Sequence, residues 1–431
     1  MSHHDAIVVG CGLAGLSAAV RLAEAGARVL VLAKGVGATH LAPGTIDVLG
    51  YRGGERVEKP LEALGALDPE HPYSRVGADG VGAAVEWFTA RVAGGSLAPY
   101  AYTGSPARNV LLPTAVGVAK PSAVVPETMA AGDLASGDPV VAVGFRGLKD
   151  FHPALLADML SRAGVRARAV ELDLVPEGRV DVNALGYARA FDDAAFRGQV
   201  VGQLAGRRLG GDERVAFPAV LGLADPHGVW SGLERALGRR VFEVPTLPPS
   251  VPGMRVFALL REALRRAGGS LRLNNVVVGA ERDGDRVRAL RVRVGLREER
   301  HAADWVVLAS GGIASGGIEL DSHWAAREVA LGLDVAGVPA AGEQRFTSGY
   351  FDEQPMSRAG VAVDDELRPL GADGARVLEN VLVAGASLAG AIPWTEKSGD
   401  GISLATGYRA AELILGASPA AAGPVHTGAE A

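Results

Sequence analysis

The chain contains one cysteine, Cys11, in 431 residues. A single thiol excludes an internal disulfide, a cysteine-ligated iron–sulfur cluster and a CxxC redox pair. It also leads one to expect a reducing compartment, the cytoplasm. Lysine is nearly as scarce, at five of the 43 basic residues. No block of basic residues accompanies the arginines, and a net charge of −6 points away from nucleic acid as a partner. Apolar runs are short. None reaches the ~18 residues of a membrane span. The N-terminal stretch AIVVGCGLAGLSAAV is broken by glycines and has no basic leader, so it does not read as a signal peptide. HExxH, GxSxG, P-loop and Cys/His zinc spacings are missing as well. The chain therefore announces no nucleophile or acid–base pair of its own, and any redox chemistry is expected to be a cofactor's.

What the sequence does have is glycine, 59 residues of it, in an otherwise ordinary globular composition of 48% hydrophobic and 21% charged residues. The length suits two domains or one large domain with an insertion. Residues 6–9 read as a short apolar strand, followed by Gly10, Cys11, Gly12, Leu13, Ala14 and Gly15. Leu16, Ala19, Val20 and Ala23 then recur at helical spacing, Gly26 fits the helix stop, and RVLVLA is the next strand. This βαβ frame is the context that a GxGxxG motif needs. Gly10 permits the tight turn, Gly12 lets the backbone approach a pyrophosphate, and Gly15 allows close helix–strand packing. The helix start adds free N–H groups and a positive dipole end. Cys11 reads as a small buried spacer.

Where the second strand should end in an acid that holds a ribose hydroxyl, the chain has Ala33-Lys34. Ala33 cannot hydrogen-bond, and Lys34 either pairs with a phosphate or extends into solvent from the strand end. The missing acid argues against NAD(H) and against FAD held through its adenosine ribose. It suits a cofactor without adenosine, with Lys34 facing a terminal phosphate.

The following loop offers Thr39, Gly44 and Thr45 for close approach to a flat ring, and His40 as a donor to flavin or substrate. Two more strand-then-glycine turns follow, LASGG with Ser310, Gly311 and Gly312, and VAGAS with Gly385. Gly399, Asp400 and Gly401 stand immediately before a helix, where backbone N–H groups and an acid can hold ribityl hydroxyls and a ring edge. The plainer reading of Asp400 is an N-cap. Three glycine turns exceed the need of a simple Rossmann domain. They predict an α/β, FAD/NAD(P)-binding Rossmann-like flavoprotein fold of the two-dinucleotide-binding type, with an inserted α+β cap domain. The expected flavin domain is 1–75, 245–312 and 366–418, the cap 76–244 and 313–365, and the tail 419–431 disordered. A meander is expected over LRLNNVVVGAERDGDRVRALRVRV, turning at Asp283-Gly284. In the cap, His323, Arg327, Arg345 and Arg358 read first as surface charges. Arg345 and His40 are the candidates to test for a catalytic role.

The whole pattern resembles one family, the B subunit of anaerobic glycerol-3-phosphate dehydrogenase. Its carriers are VVGCGLAGL, THLAPGTIDVL, FPAVLGLADPHGVWSGLE, VFEVPTLPPSVPGMRV, VVLASGGIASGGIE and ENVLVAGASLAG, which span nearly the full chain. Lys397 and Asp400 depart from the more glycine-rich run that the resemblance leads one to expect. The resemblance implies a flavoprotein that carries FMN, with FAD as the alternative. It implies an FAD-bearing catalytic partner that oxidises sn-glycerol 3-phosphate, and an iron–sulfur partner that passes electrons to membrane quinone. It also implies attachment to the inner face of the cell membrane through a partner. Two other readings stay open: a self-sufficient FAD oxidoreductase of the fumarate reductase or ketosteroid dehydrogenase type, and an assembly component whose dinucleotide fold is vestigial.

Overall fold

In the computed structural model, which describes residues 3–176, 182–349 and 352–417, the N-terminal unit forms as its pattern predicts. Strand β1 (His3–Val9) leads through the glycine loop into helix α1 (Leu13–Glu24), and β2 (Val29–Ala33) returns parallel to β1. Residues 6–9 of β1 and all of β2 are buried, as expected of strands covered on both faces. No side chain caps α1. Its first N–H groups are thus left for another partner.

Helix α2 (Pro72–Ala93), bent at Gly77, follows. Its apolar face, with Val81, Ala84, Val85, Phe88 and Val92, joins the same core as β1 and β2. Residues 76–93 thus pack on the part expected to be the flavin domain, because an amphipathic helix needs an apolar surface to cover. Ala330, Leu331, Leu333, Val361 and Val363, within the expected cap segment 313–365, join that core too. A ribbon of β3 (Val110–Pro113) and β4 (Ala119–Ser122) leads on to the insertion.

The insertion has its own core, running from Ala131 to Val251. Its elements are β5 (Val140–Phe145), α3 (Pro153–Arg162), β6 (Ala167–Leu172), α4 (Ala184–Phe191), α5 (Ala194–Ala205), β7 (Arg214–Pro218), α6 (Pro226–Leu237) and β8 (Val241–Val244). The four strands lie in the order β6-β5-β7-β8, and every pair is parallel. Where the sequence suggested α+β, the insertion's main sheet is therefore α/β, and antiparallel pairing is confined to small ribbons. Helical crossovers link its strands, and such a connection returns the chain parallel.

Helix α7 (Val251–Arg266), N-capped by Ser250, brings the chain back to the first core. The expected meander divides at Asn274, which has a φ of 59°. Strand β9 (Ser270–Leu273) joins β2 in parallel, while β10 (Asn275–Asp283), β11 (Arg286–Val294) and β12 (Arg297–Leu308) form the antiparallel meander. The second half of β12 changes partners and runs parallel between β1 and β13 (Val381–Val383). Helix α8 (Gly399–Ala417) closes the layer by packing on α1 and α2. A Cβ on Gly407 would collide with the Ala14 carbonyl, so the two helices meet through bare backbone. The tail at 419–431 lies outside the described residues.

Candidate functional site

The glycine loop is shaped by three different constraints. Gly10 has a φ of +103°, and a Cβ there would strike the Ala309 carbonyl. A Cβ on Gly15 would strike the Gly10 carbonyl. Gly12 is different: its φ of −67° suits any residue, and a Cβ there would meet open space. Nothing in the protein's own packing asks for glycine at 12. The N–H groups of Leu13, Ala14 and Gly15 lie in the helical turn that begins there, where an uncapped helix start can receive an anion. Gly37, after β2, crosses directly over Gly12. Cys11 is buried and its thiol donates to the Gly35 carbonyl at 3.0 Å. Burial pushes that thiol up to about 11, so it stays protonated near neutrality and acts as a spacer. Ala33 is buried at the end of β2, and Lys34 is exposed.

The loop after β2 carries polar atoms that the fold leaves unused. Thr39 Oγ1 and His40 Nε2 are both buried without a hydrogen-bond partner. The His40 ring stands edge-on to Phe257 at 4.8 Å, and burial lowers its pKa, keeping it neutral. Gly44 packs against Pro252 at the start of α7, and its carbonyl accepts a short hydrogen bond from Tyr102. Thr45 donates to Asp47 Oδ1 at 2.8 Å and accepts from Lys120 Nζ at 2.8 Å. Lys120 also donates to Asp47 Oδ2 at 2.6 Å. Neither Asp47 nor Lys120 stands out in the sequence, because 73 residues separate them.

The later glycine turns meet at the carboxyl ends of neighbouring parallel strands, β12 and β13, beside β1. The Gly311 N–H donates to Ser387 Oγ at 3.0 Å, and Ser310 Oγ lies 3.4 Å from the buried Glu328 carboxylate. A Cβ on Gly312 would press on the Ala386 carbonyl, and Gly385 donates its N–H to Thr406 Oγ1 at 2.9 Å. A Cβ on Gly385 would meet the Ala14 side chain, so this turn lies against the start of α1. At the start of α8, Gly401 donates to the Asp47 carbonyl at 3.0 Å. Burial and the nearby Asp47 carboxylate push Asp400 up to about 7, against the pull of Lys120.

Gly312, Gly385 and Gly399 line one cavity of about 430 Å³, with Ile402, Met356, Phe346 and Trp394 among its other walls. Among the described residues, none lining it carries a formal charge. Arg345 is not in its wall: the guanidinium lies over the Trp324 ring at 5.6 Å, and its buried Nε has no partner. His323 and Arg327 are exposed. Arg358 donates to the Gly390 carbonyl at 3.1 Å and to Glu353 at 3.2 Å.

An apolar cavity lined by two glycine turns, one of them packed on an uncapped helix start, fits a flavin. Thr39 and His40, with their unused polar atoms, do not line this cavity. The sequence agrees, matching the FAD binding domain family over residues 5–403. The protein is a flavin-linked oxidoreductase. More narrowly, the chain belongs to the B-subunit family of anaerobic glycerol-3-phosphate dehydrogenase. It is 35% identical over 424 residues to the probable B subunit of anaerobic glycerol-3-phosphate dehydrogenase from Halobacterium salinarum, covering 94% of this chain and 96% of that one. It is 31% identical over 436 residues to the corresponding Vibrio cholerae protein, covering 96% and 97%. Among solved structures, 3-ketosteroid delta1-dehydrogenase from Sterolibacterium denitrificans aligns with a TM-score of 0.46 and 14% identity, over 97% of this chain and 100% of that one. No described helix is long and apolar enough to cross a membrane.

Proposed function

We propose that this chain is the flavin-bearing electron-transfer component of a quinone-linked sn-glycerol-3-phosphate dehydrogenase complex. The meeting of two glycine turns and the start of α8 on one uncharged cavity carries this reading. A bound flavin supplies two-electron acceptance from a reduced donor and release to a one-electron partner. The chain's own residues do the rest. The first turn of α1 offers N–H groups to a phosphate, and the apolar walls keep water away.

The same walls speak against phosphate recognition in this cavity. A phosphate ester is usually held by arginine, lysine or a cluster of N–H groups, and no described cation lines the space. Oxidation of glycerol 3-phosphate to dihydroxyacetone phosphate then falls to an FAD-bearing catalytic partner, with electrons leaving through an iron–sulfur partner. The relatives' designation as B subunits supports such an assembly. It would hold a cytoplasmic chain at the inner face of the membrane. The cofactor we assign is FMN, because Ala33 and Lys34 give an adenosine ribose no carboxylate. The description of the matching family favours FAD as the second reading.

Acid extraction of the purified protein, followed by chromatography and mass determination, separates the readings. One FMN per chain is expected, and FAD would favour the second. A protein that yields no flavin even after incubation with both sinks the proposal. Dye-linked turnover of glycerol 3-phosphate by the isolated chain, abolished in Arg345→Ala, would instead support a self-sufficient oxidoreductase.

A further inference from the structure

Beside the start of α8, a lysine from the β3–β4 ribbon meets the nearly dry carboxylate of Asp47, with the half-buried Asp400 in the first turn of the helix. The Lys120 side chain is 13% exposed and that of its ion-pair partner Asp47 is 7% exposed, with 2.6 Å between them. Thr45 Oγ1 closes the triangle at 2.8 Å to each. The Asp47 carbonyl accepts the Gly401 N–H, which brings the first turn of α8, with Asp400, against the same loop. Asp47 and Lys120 are the charges acting on Asp400. Tyr73 and Tyr102 also feel its charge. Behind them lie Lys397, which donates to the Trp394 carbonyl at 2.6 Å, and Glu396, held by His71 and Ser398. Two carboxylates and one ammonium are costly to desolvate, and apolar side chains of similar size would serve folding as well. Gly399 and Ile402, in the same turn of α8 as Asp400, line the cavity described above, so the cluster adjoins it, and charged clusters of this kind concentrate at functional sites.

We propose that this cluster is the proton reservoir of the redox site: Asp400 takes one proton from solvent when the neighbouring flavin is reduced and returns it on reoxidation, with Lys120 and Asp47 as positioning residues. It rests on reading the cavity lined by Gly399 and Ile402, which share the first turn of α8 with Asp400, as the flavin site. Hydride transfer to a bound flavin would add two electrons and one proton there. The negative charge added there would raise the proton affinity of Asp400, whose carboxylate takes H⁺ from a solvent hydronium: one O–H bond forms on the carboxylate as one breaks on the hydronium, leaving water. The start of a helix ordinarily favours a carboxylate. Burial and Asp47 override that preference, and they poise Asp400 at about 7.

The test is the flavin midpoint potential of the holoprotein, titrated with dithionite on both sides of neutral pH. Below about pH 7 Asp400 is protonated in both redox states and adds nothing. Above it, the extra proton steepens the profile by about 30 mV per pH unit, a tenfold change for a two-electron couple. Asp400→Asn should abolish that break. Lys120→Met should move it to higher pH, because the cation that favours the carboxylate is gone, and Lys120→Arg should restore it. A bound flavin whose wild-type profile has no break overturns the proposal and leaves the flavin reading standing; a wild-type chain that binds no flavin overturns both. Should Asp400→Asn fail to fold, reduced-minus-oxidised infrared spectra of the wild type decide. A carboxylic-acid band gained on reduction is expected, and its absence is the overturning result.

Discussion

Replacing Arg255 with methionine is expected to lower stability by about 3–5 kcal/mol, the usual cost of leaving one member of a buried ion pair alone. Arg255 is fully buried on α7, and so is its partner Glu243 on β8. Its guanidinium donates to Glu243 Oε2 at 2.7 Å and Oε1 at 3.0 Å. It also reaches the carbonyls of Leu221, at 3.1 Å, and Gly222, at 2.6 Å. Glu243 accepts in turn from Thr128 Oγ1 at 2.6 Å and from the Leu221 N–H at 2.8 Å. Both charged groups are thus fully engaged, and the cluster joins the helix that returns to the first core with the last strand of the insertion. Arg255→Met strands the Glu243 carboxylate in a dry space. Arg255→Met combined with Glu243→Leu removes both charges and should recover much of the loss. Urea unfolding followed by tryptophan fluorescence checks this. A double variant as unstable as the single one would mean that the guanidinium's carbonyl contacts, not the ion pair, hold the junction.

Arg255 and Lys120 also mark the limit of what the sequence discloses. The βαβ unit and the glycine turns could be read directly, because each is encoded by local periodicity and by residues with unusual backbone freedom. The gathering of those turns follows from the fold, since strand-then-glycine segments deliver their loops to one edge of a parallel sheet. Pairings over long distances were not. Nothing near Lys120 indicates that it pairs with Asp47, and Glu243 looks like an ordinary strand residue until α7 packs on it. The division of the meander at Asn274 was hidden for a related reason. Strands β9 and β10 share a continuous alternating pattern, and only the free edge of β2 decides which sheet neighbour the first one takes. The parallel sheet of the insertion likewise emerges only once its helices are placed as crossovers.

Two glycines of one motif should respond to alanine in opposite ways, and the difference separates a ligand constraint from a packing constraint. At position 15 a methyl group would overlap the Gly10 carbonyl. Overpacking of this kind typically costs about 1–3 kcal/mol. Because backbone rather than a flexible side chain must yield, Gly15→Ala should lie at the upper end and melt at lower temperature. At position 12 the conformation is ordinary and the methyl group enters open space. Gly12→Ala should therefore fold within about 1 kcal/mol of the parent, since the reduced entropy of the unfolded chain offsets a slightly poorer helix cap. Its effect should appear on the cofactor instead. A Cβ between the backbone N–H groups and a phosphate lengthens their contacts, and an affinity loss of about 100-fold, near 2.8 kcal/mol, is expected. Titration of FMN and FAD into flavin-free protein, followed by flavin fluorescence, measures it alongside the melting temperature. Undiminished flavin affinity in a well-folded Gly12→Ala protein would detach the cofactor from the α1 start. It would leave Gly12 without a reason to be glycine.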